Sequence, residues 1–65
     1  MRFLRLENIH GHITLVNIND ISTINQESCN GPNFIVNKEG TVICETNEDI
    51  DSIVEKINQL EKANG

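Results

Sequence analysis

Phe34-Ile35-Val36-Asn37-Lys38-Glu39-Gly40-Thr41-Val42-Ile43-Cys44-Glu45-Thr46 sets two β-rich runs on either side of a short polar connection that ends in glycine. Such a stretch predicts a hairpin, with Lys38-Glu39-Gly40 as its turn. Beyond Thr46 the period changes. Ile50, Ile53, Val54, Ile57 and Leu60 recur at i, i+3, i+4, i+7 and i+10, which draws one apolar stripe along an amphipathic helix. The Thr46 hydroxyl is expected to cap that helix, with Asp49 completing an approximate capping box. Glu48, Asp49 and Asp51 sit where the helix dipole favours anions. Lys62 falls in the last turn, and Ala63-Asn64-Gly65 are expected to fray.

Toward the N-terminus, Arg2 to Glu7 mixes Phe3, Leu4 and Leu6 with charged residues and suits a strand. Asn8 to Gly11 supplies a turn, Gly11 bringing a positive φ. His12 to Val16 is apolar and β-branched, a strand expected to be covered on both faces. Ile18, Ile21 and Ile24 are three apart amid Asn, Asp and Thr, which predicts a tight turn or a single 3₁₀ turn with Ile18 tucked inward, then a strand from Ile21 to about Gln26. Glu27 to Asn33, with Asn30-Gly31-Pro32, reads as a loop. The fold class that follows is α+β: a small antiparallel sheet of four to five strands, built from two hairpins and packed by one C-terminal helix.

Composition narrows the function classes. Sixty-five residues suffice for one domain with a small core, and 37% hydrophobic residues at net charge −5 are too many for a disordered tail. Ten isoleucines against two aromatics make that core aliphatic. Ten acidic against five basic residues, with no Trp or Tyr, oppose a nucleic-acid surface and an anionic membrane. The N-terminal charges interrupt any signal-peptide apolar region, no run reaches the ~18 apolar residues of a membrane helix, and only two cysteines occur. Reduced thiols and a cytoplasmic location are therefore expected.

Candidate chemistry is sparse. His10 and His12 share a face if they lie on a strand, but Cys29 and Cys44 are fifteen positions apart and form no close ligand pair, so no metal is expected. Val42-Ile43-Cys44 resembles buried strand rather than the accessible setting of a nucleophilic thiol. The acidic residues near Asp49 are explained by a helix start. Asn17, Asn19 and Asp20 lack the calcium-loop spacing. No phosphate loop or dinucleotide fingerprint appears. The chain is read as non-catalytic and without a cofactor.

The order of landmarks resembles the FlbD-like family of small bacterial and phage-borne proteins. A short apolar strand, a Gly turn, Leu15-Val16-Asn17 before Ile21 and Ile24, a Gly-turn hairpin, and Glu45-Thr46 leading into Glu48-Asp49-Ile50 carry the likeness over nearly the whole chain. The loop Ser28 to Asn33, His10-Gly11-His12, and Thr46 in place of the usual Ser depart from it. The resemblance implies this architecture and a non-catalytic accessory role, and brings no catalytic residue with it.

A protein-interaction or scaffolding module is thus the leading expectation, with a small-molecule or nucleotide-binding regulator, its pocket between subunits, as the alternative. Counting faces adds a partner. One helix covers one face of a sheet; if Leu4, Leu6, Val42 and Cys44 point toward it, alternation turns Phe3, Ile35 and Ile43 to the other side. Those three are expected to form the interface of a homo-oligomer, a two-fold dimer being the commonest form, in preference to closure of the sheet into a small barrel, for which five short strands leave little interior.

Overall fold

The computed structural model describes residues 2–63, so the expected fraying at Asn64 and Gly65 lies outside the described residues. Five strands and a helix follow one another: β1 (Phe3–Glu7), β2 (Ile13–Asn17), a 3₁₀ turn at Ile18–Asp20, β3 (Ile21–Gln26), β4 (Asn33–Asn37), β5 (Val42–Thr46) and α1 (Ile50–Ala63). The strands divide into two antiparallel sheets, β1-β2 and β3-β4-β5. A single bridge between Asn8 and Thr46 joins them, beside a hydrogen bond from the Ile9 amide to the Glu45 carbonyl.

Both hairpins close through the same Asn-x-x-Gly turn. The Asn8 side-chain carbonyl accepts from the amides of His10 and His12, and that of Asn37 accepts from Glu39 and Thr41 in the same way. Gly11 and Gly40 then take φ of 82° and 84°, the left-handed region closed to most side chains. An asparagine amide mimicking a backbone acceptor organises each turn, and the glycine lets the chain reverse.

The β4-β5 register corrects the expected facing. Val36 lies opposite Val42 but Ile35 lies opposite Cys44, because a bulge at Ile43 inserts an extra residue. Directly opposed residues share a face, so Ile35 turns inward with Cys44 and is fully buried, while Val42 and Ile43 both face solvent. Ile35 therefore belongs to no exposed interface, and Val42 does not point at the helix. A second correction concerns β2. Ile13 and Leu15 are exposed rather than covered, because only the inner face of the two-stranded sheet meets other elements. Its inward residues are Leu4 and Leu6 on β1, opposite Val16 and the half-buried Thr14 on β2.

Leu4, Leu6, Val16, Ile35, Cys44 and Ile53 make the core, with Ile18, Ile21, Ile24, Ile57 and Leu60 packed partly against it. Each fully buried aliphatic side chain contributes about 1.5 to 3 kcal/mol. The helix presents Ile50, Ile53, Ile57 and Leu60 inward, whereas Val54 is 44% exposed and does not face the sheets. Its stripe is narrower than the five-residue periodicity suggests, and Val54 lies on the outer side of it.

The entry to the helix is also different. Its first hydrogen bond runs from the Ile53 amide to the Asp49 carbonyl, which makes Asp49 the cap position. Thr46 instead ends β5, fully buried, where its hydroxyl donates to the Glu7 carbonyl at 2.7 Å and accepts from the Glu48 amide at 3.1 Å. Asn33, buried at the start of β4 rather than in the loop, donates to the Glu48 carbonyl at 2.6 Å. The residues between β5 and α1 thus form an elbow tied to both sheets.

Candidate interaction surface

Edges and faces of the small β1-β2 sheet define the surface with most chemistry to offer. Hydrogen bonds from the Ile18 amide to the Arg2 carbonyl and from the Asn8 amide to the His12 carbonyl fix which residues bond across the hairpin. Pairs alternate in an antiparallel ladder, so Leu4 with Val16 and Leu6 with Thr14 are the hydrogen-bonded pairs in this register. The backbone groups of Phe3, Arg5 and Glu7 therefore point out of one edge, and those of Ile13 and Leu15 with the Asn17 amide out of the other, the Asn17 carbonyl being engaged in the 3₁₀ turn.

The two edges are treated differently. On β1 the Glu7 amide donates to the Glu48 carboxylate at 3.2 Å, the Glu7 carbonyl accepts from Thr46, and the Arg5 carbonyl accepts from the Lys56 ammonium at 3.4 Å. Lys56 is held there by an ion pair with Glu48. The elbow and the helix close that edge. On the far side β2 pairs, among the described residues, with β1 alone, and its sequence Ile13-Thr14-Leu15-Val16-Asn17 carries no charge, proline or glycine. Natural edges are usually blunted by one of these. The outer strand of the other sheet, β3, is blunted: a register irregularity falls between Ile21 and Thr23, and Ser22, Thr23, Asn25 and Gln26 are its exposed residues.

The outward face of the same hairpin is apolar in part. Phe3, Ile13 and Leu15 stand 44%, 48% and 61% exposed, interleaved with Arg5 and Glu7. Phe3 also borders an open cleft of about 340 Å³ between β1 and α1, together with Leu4, Arg5, Lys56, Gln59 and Leu60. Of the residues expected at an interface, Phe3 lies here, Ile35 is in the core, and Ile43 lines a separate hollow with Ile9, His10 and Val42. The structure does not bring the three together. Ile13 and Leu15, which sequence reasoning had placed inside, are the exposed pair it missed. The signal was the alternation itself, since Thr14 and Val16 suffice for the inner face.

The remaining candidates are dispersed. His10 and His12 are exposed at the first turn, where their amides rather than their rings are engaged. Cys29 is exposed in the loop before β4 and Cys44 is buried, both as free thiols. Burial pushes the Cys44 thiol above its ordinary value of 9.0; a hydrogen bond with Thr14 opposes the rise, and the Glu48 and Glu45 carboxylates add to it. A thiol held neutral in this way is a poor nucleophile. Among the described residues no helix is long and apolar enough to cross a membrane.

No protein-family model matches the chain, and neither a curated protein nor a solved structure does so.

Proposed function

We propose that the protein is a non-catalytic interaction module that acts through the β1-β2 hairpin and associates with a second copy of itself there. The observation that carries this is the cluster of Phe3, Ile13 and Leu15 on the outward face beside an open edge. An exposed apolar patch next to unpaired backbone is a surface that gains by being covered. A second copy fits because β2 itself is uncharged, so two chains of net charge −5 meet along it without setting like charges opposite each other. The FlbD-like likeness, which brings no catalytic residue, supports the same reading.

A second reading is favoured by the cleft beside Phe3, whose size falls in the range of small-ligand sites, with the Arg5 and Lys56 cations at its rim. It makes the protein a small-molecule or nucleotide-binding regulator. Thermal shift separates the two, since a ligand at a hundred times its dissociation constant stabilises by ~2.7 kcal/mol.

Methyl and amide spectra recorded over a concentration series test the interaction reading. The signals of Phe3, Ile13 and Leu15 are expected to move together with concentration while those of Ile35 and Ile53 stay fixed. Spectra unchanged up to ~1 mM, a range that reveals even weak contacts, would remove the self-association from the account.

A further inference from the structure

We infer that β2 is a self-complementary pairing strand, and that two chains join edge to edge as β1-β2-β2-β1 with the two-fold axis at Leu15. The inference rests on the interaction reading above and specifies its geometry. Ile13 and Leu15 direct both their amides and their carbonyls to the open edge, as the parity of the β1-β2 ladder requires, and Asn17 directs its amide there, its carbonyl being taken by the 3₁₀ turn that it caps. The set is symmetric about Leu15. An antiparallel copy therefore sets Leu15 opposite the partner's Leu15, Ile13 opposite the partner's Asn17, and Asn17 opposite the partner's Ile13. Each is a pair of the hydrogen-bonded kind; with the Asn17 carbonyls held in their 3₁₀ turns, about four inter-strand bonds form, two between the leucines and one from each Asn17 amide to the partner strand. No residue of the pairing has to change conformation.

Side chains agree with this register. On the outward face the two leucines stand side by side, each diagonal to the partner's Ile13, which shelters the most exposed apolar residues of the hairpin. On the opposite face Thr14 and Val16 keep their places in the core. The other edges are poorer sites: that of β1 is occupied by Glu48, Thr46 and Lys56, that of β3 is irregular and polar, and the end of β5 is bridged to Asn8. A pair of five-residue strands covers less than the ~1,200 Å² of a standard interface, so the dimer is weak and its population depends on concentration.

Amide hydrogen exchange at two concentrations tests the pairing. In dilute protein the amides of Thr14 and Val16, bonded to β1, are protected and those of Ile13, Leu15 and Asn17 exchange freely. At ~1 mM, where a weak dimer is populated, Leu15 and Asn17 are expected to gain roughly tenfold or more protection together. A chain synthesised with an N-methyl group on the Leu15 amide keeps its β1 ladder and is expected to remain monomeric. If the protein dimerises while the Leu15 and Asn17 amides stay open, or if the N-methylated chain dimerises as well as the natural one, edge pairing is overturned and the interaction reading survives. If no dimer forms at all, both fall.

Discussion

At the scale of single residues, polar side chains set the geometry. Asn8 and Asn37 each anchor two amides of a turn that a glycine completes at positive φ. A Cβ on Gly40 would meet nothing within 4 Å, so the cost of Gly40→Ala is conformational alone, about 1 to 2 kcal/mol. Urea denaturation should show it at Gly40 and Gly11 alike. The glycines were legible in the sequence, but the asparagines' part was not, because polar residues before a turn look like any other loop residues. Thr46 was noticed for the wrong reason. Its hydroxyl joins β5 to β1 rather than capping the helix, and Thr46→Val, which leaves the Glu7 carbonyl and the Glu48 amide without it, should cost about 1 to 3 kcal/mol. Cys44 couples stability to pH. Its folded pKa lies above the ordinary 9.0, so the neutral thiol's contribution is whole below that value and is lost as pH rises through the folded one. Stability measured on the alkaline side should fall more steeply in the natural chain than in Cys44→Ala, whose matching decline would dismiss the thiol as the cause.

At the scale of elements, periodicity located every strand and the helix, but facing depended on details that periodicity omits. The strand from Ile21 to Gln26, the 3₁₀ turn before it and the inward Ile18 stand where the spacing put them. One bulged residue, Ile43, reverses the relation between β4 and β5 and carries Ile35 into the core. A bulge has no signature in a run such as Thr41-Val42-Ile43-Cys44, where every residue suits either face. The helix illustrates the same limit: Ile53 is fully buried and its neighbour Val54 is largely exposed, though both belong to the apolar stripe. Ile53→Ala should therefore cost about 2 to 4 kcal/mol, while Val54→Ala stays within roughly 0.5 kcal/mol of the natural chain. Equal melting losses for the two would mean that the helix lies on the sheets in another rotation.

At the scale of the whole molecule, counting faces assumes one sheet where there are two. Splitting the strands lets the second sheet and the helix bury the inner face of the first, so the exposed apolar residues divide between the outward side of the β1-β2 hairpin, at Phe3, Ile13 and Leu15, and a separate hollow at Ile9, Val42 and Ile43, with Val54 on the helix. The proposed self-association moves from Ile35 and Ile43 to Ile13 and Leu15, with Phe3 common to both. Leu15 is well exposed, so Leu15→Lys leaves the fold intact while setting two ammonium groups together at the two-fold axis. Sedimentation equilibrium of the natural chain, Leu15→Lys and Ile43→Lys is the most direct measurement. The natural chain and Ile43→Lys should rise from one chain's mass toward two with concentration, and Leu15→Lys should stay at one; a Leu15→Lys chain that dimerises as the natural one does, or an Ile43→Lys chain that no longer does, would contradict the assignment of the surface to β2.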